Sequence, residues 1–147
     1  MDALVKLLDK NLDYINHEIK DGIMFITVES NKESLNCPFC NQSSSKVHSR
    51  YEKSFQDLPI QGYKVVIVIS NKKYFCKNPL CSHTTFAETF SFIKPNAKKT
   101  VRLEDEIVRI ATNVSSVAAS KILKTQIADV GKSTICNLLK KRRTNNK

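Results

Sequence analysis

The sequence of 147 residues contains no Trp, 3 Gly and 4 Pro. This shortage excludes collagen-like chains and Pro/Gly-rich linkers. It also argues against a large barrel or doubly wound enzyme fold, which would need more chain and more glycine in its loops. No apolar run of 18 residues is present, so no membrane-spanning helix is predicted. The start of the chain carries Asp2 and lacks the apolar core of a secretory signal. We therefore expect a cytoplasmic protein without a membrane partner.

Acidic residues are scarce towards the end of the chain. Residues 91–147 hold 13 basic and 4 acidic residues, a net charge of +9, whereas residues 37–90 carry +4 and residues 1–36 carry −3. The formal net charge of the whole chain is +10. This asymmetry predicts a polyanionic partner, most often nucleic acid. The alternative is a solvated basic surface that serves solubility.

An odd number of cysteines in a chain without an export signal disfavours disulfide bonds. Four of the five cysteines form two close pairs, with two residues between Cys37 and Cys40 and four between Cys76 and Cys81. Each pair can make a tight turn that directs both thiolates to one side, and two such turns complete a tetrahedral four-sulfur shell. The sequence therefore predicts a structural Zn²⁺ site, with no catalytic role, formed by Cys37, Cys40, Cys76 and Cys81.

Other assignments compete with this zinc site. The cysteines could be unliganded, or the first pair could be a redox Cys-x-x-Cys, which would leave the second pair unexplained. His48 and His83 are alternative ligands, although four thiolates already complete the shell. Cys136 lies in a helical pattern far from both pairs and is expected to be a small, half-buried side chain.

Alternating apolar residues predict strands in most of the first 90 residues. A short helix is expected at residues 3–12, followed by a hairpin whose turn is Asp21 and Gly22. A β-meander between two cysteine pairs is the architecture of a zinc ribbon, so residues 1–90 are predicted to form a β-hairpin and a four-cysteine zinc ribbon. The further strands are expected at residues 46–55, 63–70 and 73–76, with turns at residues 57–62 and 71–72.

From about residue 95 the apolar period changes from two to 3.6, which predicts helices. The first helix is expected at residues 101–113. The second begins after an N-cap at Ser115 or Ser116, and the third is expected at residues 132–142. Three short helices with a basic last helix fit a helix-turn-helix. The predicted fold class is α+β, with the zinc ribbon followed by an all-α DNA-binding domain and basic tail over residues 91–147. A plain three-helix bundle is the alternative.

The last predicted helix has polar side chains on the face that its apolar residues leave free. Asn can pair with adenine, Ser and Thr with several base edges, and Lys with guanine or phosphate. The basic run at the end of the helix suits phosphates. The candidate DNA-binding residues are Lys132, Ser133, Thr134, Asn137, Lys140, Lys141, Arg142 and Arg143.

Six segments resemble, in order and spacing, the N-terminal region of transposases of the ISL-three type of bacterial insertion sequence. The cysteine block is the specific part, and the resemblance spans about residues 35–143. It implies a zinc ribbon followed by a helix-turn-helix. The segments are residues 37–40 (CPFC), 47–51 (VHSRY), 57–62 (DLPIQG), 74–81 (YFCKNPLC), 86–88 (FAE) and 97–100 (AKKT).

The resemblance implies that the chain binds double-stranded DNA at the terminal inverted repeats of an insertion sequence. In that family a catalytic domain with an RNase-H-like fold and three magnesium-binding acidic residues follows. This sequence stops before it, so we expect the chain to be inert alone, with any self-association made through a separate catalytic domain. The adjacent Glu104, Asp105 and Glu106 are expected to complement a helix dipole instead. A small zinc-ribbon transcriptional regulator and a protein-interaction module are the alternatives.

Overall fold

The computed structural model describes residues 1–145, with side chains for all of these except Ser116, Gln126 and residues 143–145. Its combination of sheets and helices confirms the predicted α+β class. Within the described residues, no helix combines the length and the apolar character needed to cross a membrane. The elements follow in the order α1 (Asp2–Leu8), β1 (Leu12–Lys20), β2 (Ile23–Ser30), β3 (Leu35–Asn36), β4 (Ser43–Ser44), β5 (Val47–Ile60), β6 (Tyr63–Phe75), β7 (Thr85–Ala87), α2 (Val101–Ala111), α3 (Ser116–Gln126) and α4 (Lys132–Asn145).

Two hairpins form the main sheet, whose strand order is β1-β2-β6-β5, with β7 also paired to β6. Asp21 and Gly22 connect β1 to β2, and both have positive φ (53° and 77°), as the tight turns of two-residue hairpins require. Gln61 and Gly62 connect β5 to β6 in the same way, with φ of 48° and 85°. The predicted Asp-Gly hairpin is therefore confirmed.

The turn predicted at residues 57–62 is shorter than expected and the turn predicted at residues 71–72 is wrong, because strands run through these positions. β5 extends to Ile60, so only Gln61 and Gly62 remain of the turn predicted at residues 57–62. β6 runs through Asn71, which is buried and donates hydrogen bonds to Tyr51 Oη (3.0 Å) and to the Glu88 carbonyl (3.4 Å). A polar residue satisfied inside a sheet resembles a turn residue in the sequence, because its partners are distant along the chain.

Helices α2, α3 and α4 contact one another and enclose a buried apolar cluster. The cluster includes Leu103 and Ile107 of α2, Leu123 of α3 and Ile135 of α4. Ser115 caps α3 by accepting a hydrogen bond from the Ala118 N–H (3.2 Å), which confirms one of the two predicted caps. The three predicted helices are present, and their assignment as a helix-turn-helix stays a prediction.

The chain divides into two compact units, each assembled from three segments. The zinc unit comprises Met1–His17, Ile26–Ser54 and Val68–Ser91, and the helical unit comprises Glu18–Phe25, Phe55–Ile67 and Phe92–Lys147. The long strands β1, β2, β5 and β6 contribute residues to both. The domain boundary expected between residues 90 and 91 stays a prediction.

Candidate zinc centre and nucleic-acid interface

The first cysteine pair occupies a tight knuckle between the short strands β3 and β4. These strands pair antiparallel, with Leu35 opposite Ser44, and bring the chain back on itself around Cys37 and Cys40. The Cys37 N–H donates to the Gln42 carbonyl (2.9 Å), and the Asn41 N–H donates to the Cys37 carbonyl (2.7 Å). Asn41 has a φ of 64°, in the left-handed region that Asn tolerates better than most residues. The knuckle therefore needs no glycine.

The second cysteine pair lies in the connection from β6 to β7. The Cys76 N–H donates to the Thr84 carbonyl (2.9 Å), and the Cys81 N–H donates to the Asn78 carbonyl (3.1 Å). Asn78 Oδ1 accepts a further hydrogen bond from the Leu80 N–H (3.0 Å), which closes an Asx turn. Because β7 pairs with the end of β6 in the register Phe75 opposite Thr85, the two ends of this knuckle are held together.

The four thiols converge into one cluster, as the sequence predicted. The Sγ atoms of Cys37, Cys40, Cys76 and Cys81 all lie within 4.8 Å of one another. The Cys37–Cys81 distance is 3.9 Å and the Cys40–Cys76 distance is 3.5 Å. A tetrahedral Zn²⁺ with Zn–S bonds of about 2.3 Å separates its sulfurs by about 3.8 Å, so the cluster has the size of a closed zinc shell. The structure thus fits a structural Zn²⁺ held by these four residues.

The cluster is built on an apolar base. Cys37 is fully buried and packs with Tyr74 of β6 and Phe86 of β7, whose rings stack with centroids 5.7 Å apart. Burial raises the pKa of Tyr74, and the negative charge of Glu88 adds to this increase. The aromatic pair covers one side of the thiols, and such an apolar shell limits the access of water to a bound metal.

The thiols differ in acidity in the absence of metal. A hydrogen bond with the backbone of Gln42 is the main cause that lowers the pKa of Cys40, to about 7. A backbone hydrogen bond at Asn78 also lowers the pKa of Cys76, but burial and hydrogen bonds with the other thiols outweigh it and raise the value to about 12. A bound divalent cation removes this difference, because coordinated thiols lose their protons.

The alternative ligands make other contacts. His48 lies edge-on to Phe75 and shares a hydrogen bond of 2.9 Å between its Nδ1 and Ser49 Oγ. His83 stacks on Phe39, with ring centroids 3.5 Å apart, and its Nδ1 lies 2.9 Å from Ser82 Oγ. Among the residues that the structure describes, no His, Asp or Glu joins the group of four sulfurs.

The comparisons with known proteins agree with this geometry. Residues 34–81 match the family model of the zinc-finger of transposase IS204/IS1001/IS1096/IS1165. This range covers β3, both knuckles and the β5–β6 hairpin, and it includes all four thiols. Neither the comparison with curated proteins nor that with solved structures found a match. The zinc-ribbon part of the predicted resemblance is therefore confirmed for residues 34–81.

The candidate DNA-binding residues lie on α4, in the helical unit. Lys132, Ser133 and Asn137 are exposed, and so are Lys140 and Lys141. Thr134 is half-buried, and together with Asn137 and Lys141 it lines a depression that also includes Lys98, Lys99 and Glu104. Of the predicted set, the structure thus brings these three side chains together around one surface feature.

Arg142 differs from the expectation of a free cationic run at the end of α4. Arg142 is half-buried and donates a hydrogen bond from Nη2 to Asp105 Oδ1 of α2. This ion pair neutralises part of its charge and ties the end of α4 to α2. Arg143 is also predicted to contact DNA, and its side chain lies outside the described residues.

Sequence reasoning missed a buried polar cluster at the start of α2. Asp57 of β5 is 2% exposed and accepts hydrogen bonds from Thr100 Oγ1 (2.7 Å) and from Arg102 Nε (2.8 Å), while Arg102 Nη2 binds its other oxygen. Thr100 Oγ1 also accepts from the Leu103 N–H and so caps α2. Asp57 therefore fixes the position at which α2 begins. Its separation of 43 residues from Thr100 left no local signal for this contact.

Glu104 has its expected position at the start of α2 and a second feature that sequence reasoning missed. It does lie in the first turn of α2, where a carboxylate complements the helix dipole. Its side chain is nevertheless buried, at 7% exposure, and its Oε1 has no hydrogen-bond partner among the described residues. The signal was present in the sequence, because Glu104 precedes Ile107 and Ala111 by three and seven positions and so shares their apolar face.

Proposed function

We propose that this chain is the zinc-dependent DNA-binding N-terminal part of a transposase, which recognises the terminal inverted repeats of an insertion sequence in the cytoplasm. The observation that carries the proposal is the coincidence of the family match at residues 34–81 with the four-sulfur cluster in that range. The positive charge of the chain supports DNA as the partner.

The charge of the zinc ribbon itself supports contact with a phosphate backbone. Residues 34–51 and 72–87, which include both knuckles, contain five Lys or Arg and no Asp or Glu. A zinc ion with four thiolates has a net formal charge of about −2. Five cations therefore outweigh the metal centre, and the ribbon keeps a positive surface. The five residues are Lys46, Arg50, Lys72, Lys73 and Lys77.

The helical unit supplies the second part of the proposed interface. In a helix-turn-helix, the N-terminal residues of the last helix contact base edges in the major groove, and flanking cations contact phosphates. Lys132, Ser133 and Asn137 have the exposure that such contacts require, and Thr134 is half-exposed beside them. Lys140, Lys141 and Arg143 would then hold the backbone, with Arg142 shared between DNA and Asp105.

We further propose that the chain does not cut or join DNA by itself. Glu104 is buried and the carboxylates of Asp105 and Glu106 pair with Arg142 and Arg109, so these three adjacent acids do not form an open site for a catalytic metal. Purified chain incubated with Mg²⁺ and a labelled element end is expected to leave the strands intact. Nicking that disappears when one of these acids is replaced would contradict this.

Selection from a random duplex pool tests the binding function. Zinc-loaded chain is incubated with a pool of duplexes that carry a randomised segment of about 20 base pairs, a length that spans two turns of B-DNA. The bound fraction is sequenced after several rounds. We expect enrichment of one sequence that matches the terminal inverted repeat of the element that encodes the chain. Enrichment of a site absent from the element ends would favour the alternative of a transcriptional regulator. Failure to enrich any sequence would contradict specific DNA recognition.

A further inference from the structure

The depression beside α4 has a composition that the proposed interface does not yet explain. It has a volume of about 220 Å³ and lies within the helical unit, between the segment that precedes α2, the first turn of α2 and α4. Three ammonium groups and one carboxylate surround it, together with a hydroxyl and an amide. The polar side chains that line it are Lys98, Lys99, Glu104, Thr134, Asn137 and Lys141.

Glu104 is the unusual member of this group. Its side chain is more than nine-tenths buried, and its Oε1 has no donor within the described residues. A buried carboxylate oxygen without a donor is unfavourable, because the oxygen has lost water and gained no hydrogen bond. The side chain therefore has an unused acceptor beside the depression. Because this oxygen has almost no exposed surface, a ligand with an N–H group completes it only after the side chain turns towards the depression.

The mixture of charges restricts the chemistry of that ligand. Free phosphate would be attracted by three lysines but repelled by the carboxylate, and a metal cation would meet the opposite problem. A nucleotide within a DNA strand offers both requirements, because its phosphate suits the lysines and an exocyclic amino group suits the carboxylate. In the major groove, the N4 amino group of cytosine is the donor that Glu and Asp accept from, whereas adenine pairs with Asn.

Resting on the DNA-binding function proposed above, we infer that this depression is a base-specific subsite. Glu104 accepts a hydrogen bond from the N4 amino group of a cytosine, and Lys98 and Lys99 hold the adjoining phosphates. Asn137, on the α4 side of the same depression, is placed to contact a neighbouring base. Specificity at one C·G pair thus depends on a residue of α2, outside the helix that sequence reasoning assigned to DNA recognition.

The substitution Glu104→Gln separates this role from a structural one. It keeps the shape of the side chain but removes its charge, and the amide can donate to other bases. On random DNA we expect binding equal to or a few times tighter than wild type, because a negative charge near phosphates is removed. On the preferred site we expect the discrimination in favour of one C·G pair to fall about tenfold. A carboxylate that only supports the fold would change both affinities in the same direction.

The experiment uses the zinc-loaded full chain and the duplex selected from the random pool. Each base pair of that duplex is replaced in turn, and competition affinities are measured for wild type, Glu104→Gln and the control Glu106→Gln. Glu106 lies on the same helix and pairs with Arg109. Its substitution changes the net charge by the same amount as Glu104→Gln, so it should change the affinity for all duplexes by the same factor. Loss of discrimination at a single C·G pair in Glu104→Gln alone would support the inference, and wild-type discrimination at every position would overturn it.

A second variant tests the phosphate contacts independently of Glu104. Replacing Lys98 and Lys99 with Ala should weaken binding to all duplexes and reduce the slope of log affinity against log salt by up to about 1.8. An unchanged slope would overturn the inference even if Glu104→Gln failed to fold. If wild type selects no duplex at all, the proposed function itself is wrong. If wild type selects a site and both variants behave like wild type, only the subsite is wrong.

Discussion

At the scale of single residues, we expect each of the four zinc-binding cysteines to be needed for folding of the region around the metal. The knuckles bring four sulfurs together at distances that suit one metal, and Tyr74 and Phe86 are the large apolar side chains buried beside Cys37. Structural zinc in small domains provides about 10–16 kcal/mol near pH 7, and this binding energy is also folding energy. We therefore expect the metal to contribute more to this region than its small apolar core.

The substitution Cys76→Ser tests this dependence. We expect zinc content to fall from one ion per chain to well below one, with loss of hydrogen-exchange protection over residues 35–54 and 68–90. Cys136→Ser is the matched control, because Cys136 is half-buried in α4 and lies outside the four-sulfur group. Metal analysis and hydrogen exchange of both variants measure the effect. A Cys76→Ser chain that remains protected without zinc would contradict the account.

A second residue-scale prediction concerns Asp57, whose carboxylate receives three hydrogen bonds from Thr100 and Arg102. The substitution Asp57→Asn keeps the volume but removes the charge, so we expect a loss of about 1–3 kcal/mol of unfolding free energy. Glu106→Gln breaks a more exposed pair with Arg109 and should cost less than about 0.5 kcal/mol. Urea unfolding followed by helical circular dichroism compares the two. Equal midpoints would show that Asp57 does not hold α2.

At the scale of elements, α4 is predicted to divide its DNA contacts between its two ends. Asn137→Ala should cost about 1–3 kcal/mol on the preferred duplex and much less on random DNA. Replacing Lys140, Lys141, Arg142 and Arg143 together should weaken both about equally. It should also reduce the slope of log affinity against log salt by up to about 0.9 for each phosphate that the variant no longer neutralises. Affinities measured against salt on both duplexes test this. Equal weakening of both duplexes by Asn137→Ala would show that α4 is not the base-reading element.

Elements with a strong local signal were predictable from the sequence. The Asp-Gly hairpin, the three helices and the two cysteine knuckles depend on residues close together in the chain, such as Asp21 with Gly22 or Cys37 with Cys40. The turn predicted at residues 57–62 is confined to Gln61 and Gly62, and the turn predicted at residues 71–72 was wrong, because the polar residues there are satisfied by distant partners. Asp57 binds Arg102, and Asn71 binds Tyr51 and Glu88. Such contacts depend on tertiary pairing, which periodicity does not encode.

At the scale of the whole molecule, the proposed DNA interface draws on two units that are expected to be stabilised in different ways. We expect the two knuckles of the zinc unit to depend on metal for their local order, whereas the three helices of the helical unit enclose an apolar cluster of their own. Specific binding to DNA is expected to need contacts from both units, because each alone presents only a small surface. Removal of zinc should therefore weaken recognition even though α4 keeps its helical packing.

Binding of a labelled duplex before and after zinc removal tests the central claim most directly. Fluorescence anisotropy at a physiological ionic strength of about 0.15 M compares the selected inverted-repeat duplex with a scrambled duplex of the same composition. For the zinc-loaded chain we expect a preference of about 10³ for the selected duplex. After treatment with a chelator, that preference should fall at least about tenfold and return when Zn²⁺ is restored. Equal affinity for both duplexes in the zinc-loaded chain, or a preference unchanged by chelation, would contradict zinc-dependent recognition of DNA.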